Sequence, residues 1–397
     1  MLVAISLACL ALTGCWDLHE ITEVAPVTGL GLDVGTLPGT IRLSAQIVPP
    51  QAVGADAGPA GATSLRVLSV EAATVTEAML LLSAHIRREP FLMHLGFVVF
   101  GEEMARAGIG AVLGGLHGKI TIRGSVPVLV AAGSAQEVLR ARSGVGRAPG
   151  ADVLELLANM RRLPLGRVVT LYDAVNTLSG LGGEIALPIL DLAPLRLEAA
   201  DHQPADGTGQ QGQQLMEVTI GRTALFVRDR WVHDLDVFQT QALTLLSGDV
   251  TQGALSIAHP TAPGGAMALQ FLRFRAQLKP EASPQGPVAL QVKIEIDASL
   301  TETRAGYDLR QAGPQPILEV VEQYVTAQVT ELFALMQEIG SDSLGVGNMI
   351  YRNQPRTWSH LEPRWSEHYR QMTVSVDTKA RLKDTSMLMR LFAVRRE

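Results

Sequence analysis

Residues 288–296 read VALQVKIEI. Val288, Leu290, Val292, Ile294 and Ile296 alternate with Gln291, Lys293 and Glu295, the period-2 pattern of a strand packed on one face and wet on the other. Downstream of it, Pro314 and Pro316 open a much longer pattern of period 3.6. Ile317, Val321, Val325, Gln328, Leu332, Met336 and Ile339 define one helical face, and Gly340 stands where the helix should stop. A last alternation follows, Met372, Val374 and Val376 against Thr373, Ser375 and Asp377. One long helix laid on a sheet, taken as antiparallel, buries all three patterns together.

Upstream, the period changes repeatedly. Ile41, Leu43, Ala45 and Ile47 alternate with Arg42, Ser44 and Gln46, stopped by Pro49-Pro50; residues 65–70 form a second strand. Val75, Met79, Leu82 and Ile86 share a helical face. The apolar run 95–100 reads as a central strand followed by a helix from Glu102, and 125–131 as another strand followed by a helix with Ser134 as its N-cap. Residues 153–160 and 171–178 are helical, and strands at 215–220 and 223–227 flank Gly221-Arg222. Residues 54–63 (GADAGPAGAT) form a loop of small residues. Residues 199–214 (AADHQPADGTGQQGQQ) contain no large aliphatic side chain and are expected to be an interdomain linker. The expected fold is α+β and multidomain, with mixed or antiparallel sheets each packed by helices. A signal peptide spans 1–14, an N-terminal α+β domain 15–198 and a C-terminal α+β domain 215–390, with a subdomain boundary near 285 if the latter divides.

With 33 Lys+Arg against 39 Asp+Glu, the 397-residue chain carries a net charge of −6, which argues against a nucleic-acid partner because phosphate binding needs clustered excess cations. It is 47% hydrophobic and 18% charged, so wholesale disorder is excluded. No run reaches the ~18–20 apolar residues of a spanning helix. The two cysteines, Cys9 and Cys15, both lie at the N-terminus. Residues 1–14 (MLVAISLACLALTG) are an uncharged apolar run ending in Leu12-Thr13-Gly14-Cys15, which resembles a bacterial lipobox. Cleavage before Cys15 and thioether lipidation would tether the domain, since buried methylenes contribute ~0.8 kcal/mol each. No Lys or Arg precedes Cys15, so translation is expected to start upstream of Met1. With Cys15 lipidated no disulfide remains, and no cofactor is expected.

No complete enzyme motif stands in the sequence. His360, Glu362, Glu367 and His368 match no zinc spacing, and His233-Asp234-Leu235-Asp236 reads as a turn after Trp231. Gly29, Gly31 and Gly35 have the wrong spacing for a dinucleotide loop and read as a β-turn. Residues 114–119 (GGLHGK) lack the first glycine and the Ser/Thr of a P-loop, and no G-x-S-x-G occurs. His94, inside an apolar run, reads as a core histidine. No catalytic or metal residues are assigned and no enzyme is expected. Trp16, Trp358 and Trp365 read as packing residues.

The order of short motifs resembles the C-subunit lipoproteins of spore germinant receptors, the GerAC or Ger(x)C family. The similarity rests on Cys15-Trp16-Asp17, Glu20-Ile21, the segment from Thr28 to Asp33 and the strand ending Ile47-Val48-Pro49. It continues with His94 through Gly101-Glu102-Glu103, then Ala131-Ala132-Gly133-Ser134-Ala135. In the C-terminal half it rests on Ser341-Asp342, Gly345, Gly347, Pro355, Trp358 and Trp365. The resemblance implies a non-catalytic protein lipidated at Cys15, on the outer face of the spore inner membrane. It implies integral-membrane A and B subunits as partners, the B subunit sensing nutrients. The competing expectation is a substrate-binding lipoprotein of a transporter, which should show two lobes of repeated βαβ pattern.

Overall fold

The computed structural model describes residues 24–47, 66–86, 88–119, 121–141, 151–180, 182–194, 216–248, 252–284, 286–305, 307 and 309–383. The chain begins with β1 (Val24–Val34), β2 (Ile41–Ile47) and β3 (Arg66–Ala72), then α1 (Val75–Ile86), β4 (Glu89–Phe91) and β5 (Phe97–Phe100). Next come α2 (Glu102–Ala107), α3 (Gly110–His117), β6 (Val128–Ala131), α4 (Ala135–Arg140), α5 (Ala151–Met160) and α6 (Leu171–Ser179). Strands β7 (Ala186–Pro194), β8 (Met216–Val227) and β9 (Arg230–Leu235) complete a mixed sheet of order β3-β2-β1-β5-β6-β7-β8-β9, with β4 paired to β1.

β1, β5, β6 and β7 run parallel. β5 and β6 are buried on both faces, which is why FVVF and VLVA read as continuous apolar runs rather than alternations. Val98, Phe100, Val128 and Val130 point to the layer of α1, α2, α3 and α6, while Phe97, Val99, Leu129 and Ala131 meet α4 and α5. Ser134 caps α4 as expected, accepting from the Gln136 amide.

The second sheet, order β10-β11-β12-β13, uses β10 (Gly253–Ala258), β11 (Ala266–Glu281), β12 (Ala289–Thr303) and β13 (Thr373–Leu382). Between the sheets lies α7 (Val237–Ser247), opened by a reciprocal cap of Asp236 and Gln239. Between β12 and β13 lie α8 (Leu309–Ala312), α9 (Gln315–Ile339), α10 (Val346–Asn353), α11 (Pro355–Leu361) and α12 (Trp365–Gln371). α9 is the predicted long helix, and it ends at Gly340 in the left-handed region, φ 87°. Its buried residues Ile317, Val321, Val325, Val329, Leu332, Phe333 and Met336 pack on the alternating apolar residues of the sheet.

Several expectations are corrected. β13 pairs with β12 in parallel, from Ala289–Thr373 to Ala298–Leu382, because the helical crossover returns the chain to the same end of the sheet. Residues 199–214 lie outside the described residues, but the flanking strands β7 and β8 are antiparallel neighbours from Ala186–Leu225 to Pro194–Met216. The first sheet therefore runs through the expected domain boundary and ends at β9. Arg222 on β8 fixes this edge by ion pairs to Asp191 on β7 and, at 2.9 Å, to Asp234 on β9. No subdomain boundary falls near 285, because β11 and β12 pair on either side of it up to Glu281–Ala289. Residues 233–235 are strand rather than turn, and Asp236 is the helix cap. Gly29 and Gly31 lie inside β1 instead of a β-turn. A Cβ at Gly29 would fall 2.6 Å from the Phe97 ring, and one at Gly31 3.2 Å from the Ala135 Cβ. His94 is exposed, tilted against Phe91 at 5.3 Å, because it sits in a turn before β5. Residues 48–65, with the small-residue loop, lie outside the described residues.

Candidate functional site

The segment Ser341-Asp342-Ser343 follows the left-handed stop of α9 and turns the chain into α10. All three residues are buried. Asp342 Oδ1 accepts from the Val346 amide at 2.7 Å, and Oδ2 accepts from the Gly347 amide at 2.8 Å and from Trp365 Nε1 at 3.2 Å. One carboxylate thus caps the first turn of α10 and holds the indole of α12. Burial lifts its pKa from 3.8 to about 6, against the amides of Gly347 and Val346 and the indole of Trp365, which favour the charged form. Tyr369, packed 6.0 Å from Trp365, is also raised by burial and by Asp342, and its hydroxyl donates to the Ser341 carbonyl at 3.1 Å.

This turn also meets the first sheet. Ser341 Oγ donates to the Phe226 carbonyl of β8 at 2.6 Å, and the Glu184 amide donates to the Asp342 carbonyl at 2.9 Å. Gly182 and Gly347 abut: a Cβ on either would lie within 2.9 Å of the other's backbone. The motif that spans Ser341 to Trp365 therefore builds the seam between the two sheets. Trp358 is buried against Trp365, centroids 5.1 Å apart, so both indoles pack as predicted.

Beside the seam opens a cleft of about 600 Å³, lined by α3 and the end of α6 on one side and by Glu184, Arg228, Asp229 and Trp365 on the other. Arg228, in the turn between β8 and β9, has a left-handed backbone, φ 56°. That strained conformation aims its amide at Glu184 Oε2, 2.6 Å away. Burial raises the Glu184 carboxyl from 4.5 to about 7; the Arg228 amide opposes this, and the charges of Asp342 and Asp229 reinforce it. Asp229 accepts from the Gly110 amide at 3.2 Å.

A second cleft of about 510 Å³ lies beyond the carboxyl ends of β1, β5 and β6. Its charged groups largely satisfy one another: Arg42 pairs with Glu71, Arg106 with Glu102, and Asp33 accepts from the amides of Ala135 and Gln136. Among the described residues no group of three or more His, Cys, Asp or Glu is placed to hold a metal. Residues 114–117 lie inside α3. Cys15 and Trp16 lie outside the described residues. Glu184 and Arg228 carry only a faint signal in the sequence, a carboxylate after Gly182-Gly183 and an arginine between two strands.

The class follows from comparison with known structures and sequences. The fold is that of the GerBC protein, whose crystal structure superposes with a TM-score of 0.53 at 15% identity, covering 93% of this chain and 100% of that one. The chain is 23% identical over 376 residues to the putative spore germination protein YfkR of Bacillus subtilis (strain 168), covering 93% of this chain and 92% of the relative. It is 23% identical over 384 residues to spore germination protein KC of the same organism, covering 92% and 90%. The spore germination protein N-terminal domain model matches residues 17–192, and the model described as spore germination B3/GerAC like, C-terminal, matches 221–386. The chain belongs to the GerAC family of spore germination proteins.

Proposed function

We propose that this chain is the lipid-anchored C subunit of a nutrient germinant receptor, held by lipidated Cys15 on the outer face of the spore inner membrane and working without catalysis. The observation that carries this is the match of both family models, in order, over nearly the whole chain after Cys15. Among the described residues no helix is long and apolar enough to cross a membrane, so attachment through acyl chains is consistent with the helices present. Tethering confines the folded domain to a thin layer above the bilayer and raises its effective concentration toward the integral-membrane A and B subunits. In that position it assembles or stabilises the receptor, or couples nutrient sensing to ion release. Spores lacking this chain should germinate poorly on nutrients while still germinating under treatments that bypass receptors. Unchanged nutrient germination would sink the proposal.

A further inference from the structure

We propose that the cleft at the seam binds a small organic cation, a primary ammonium held between the Glu184 carboxylate and the face of the Trp365 indole. The volume of about 600 Å³ suits a small molecule, and the lining sets the charged groups Glu184, Arg228 and Asp229 beside the Trp365 indole. The charged side chains lining the cleft are Glu184, Arg228 and Asp229, two carboxylates against one guanidinium, and the charge of Asp342, buried behind the lining in the turn after α9, adds to the negative side. The lining stretch of α3 supplies Gly110, Leu113 and Gly114, and that of α6 supplies no charged side chain.

The carboxylates are unequally occupied. Asp342 is saturated by three N–H donors, and Asp229 accepts from Gly110. Glu184 receives the Arg228 amide on Oε2, while Oε1 has no donor among the described residues. An ammonium brought into the cleft would fill that acceptor and relieve the repulsion among Glu184, Asp229 and Asp342; an anion would add to it. Trp365 supplies the second contact. Its Nε1–H donates to a carboxylate at 3.2 Å, which enriches the ring that lines the cleft, and a cation over an indole face is a favourable pairing. A hard metal ion would need several converging oxygen ligands, and the described acids are not so grouped. This inference stands apart from the receptor role and can fail or hold without it.

The experiment titrates n-propylammonium chloride and, separately, sodium propionate into the full chain in detergent at pH 6 and pH 8, read by NMR shift changes. Burial pushes the Glu184 carboxyl up to about 7, so it is mostly protonated at pH 6 and mostly ionised at pH 8, and the ammonium should bind several-fold tighter at pH 8. Glu184→Gln, which keeps an acceptor for the Arg228 amide, should weaken binding and flatten its pH dependence with the melting temperature retained. Absence of saturable propylammonium binding to the wild-type chain would overturn the proposal, as would tighter binding of propionate. Equal binding by Glu184→Gln would do the same.

Discussion

Gly347→Ala tests the seam directly. Gly347 lies in the first turn of α10, where replacing glycine by alanine ordinarily stabilises by up to ~1 kcal/mol. Here the new Cβ would sit 2.8 Å from Cε2 and Nε1 of Trp365 and 2.9 Å from the Gly182 Cα. Carbon contacts are comfortable only from roughly 3.5 Å, so the neighbours must retreat by about 0.7 Å on both sides. Trp365 cannot swing aside cheaply, because its Nε1–H is bonded to Asp342 and its ring is packed on Trp358. Gly182 offers backbone. Overpacking of this kind costs ~1–3 kcal/mol, so the net effect should be a loss of about 1–2 kcal/mol despite the better helix former. Gly114→Ala in α3 is the matched control: nothing lies within 4 Å of its Cβ, and a gain of ~0.5–1 kcal/mol is expected. Urea denaturation of the two variants should move the midpoints in opposite directions. If Gly347→Ala is as stable as Gly114→Ala, the glycine-to-glycine seam is wrong.

Other predictions follow from the same contacts. Glu184 and Asp342 both bind protons more tightly folded than unfolded, so their stabilising contribution is complete below about pH 4 and is lost as pH rises through about 6 to 7. Wild-type stability should therefore fall between pH 5 and pH 8 relative to Glu184→Gln, measured by denaturation at both values; a rise relative to that variant contradicts the assignment. Asp33→Ala strips an acceptor from the Ala135 and Gln136 amides and the Ser134 hydroxyl, and should cost ~1–3 kcal/mol by the same assay. Trp358→Ala should cost ~3–5 kcal/mol, whereas Trp358→Phe should cost far less, because the buried Nε1 has no hydrogen-bond partner to lose among the described residues. A phenylalanine variant as damaged as the alanine one would point to a hidden partner for that nitrogen.

Local patterns carried much of the architecture. The face Val75–Ile86, the cap at Ser134 and the stop at Gly340 each follow from side chains within a few residues, and the structure keeps all three. What failed to read through was long-range pairing. Composition at 199–214 marks a segment poor in core residues, but nothing local says that the strands on either side of it pair with each other. The parallel β13 depends on where a crossover of several helices lands, and alternation is the same for either direction. Gly29 and Gly31 suggested a turn because close approach by Phe97 and Leu139 leaves no local trace. The seam was half visible: the motif residues from Ser341 to Trp365 were recognised as a set, yet their convergence on one buried carboxylate required the fold. Glu184 and Arg228 acquire their character only from burial beside that carboxylate and from a strained turn.

Lipid attachment at Cys15 is the most direct test of the proposed role. Spores carrying Cys15→Ala should lose incorporation of a palmitate analogue into this chain, release it from the inner-membrane fraction and respond poorly to nutrients. A Cys15→Ala protein that stays membrane-bound and supports full nutrient germination would contradict the account.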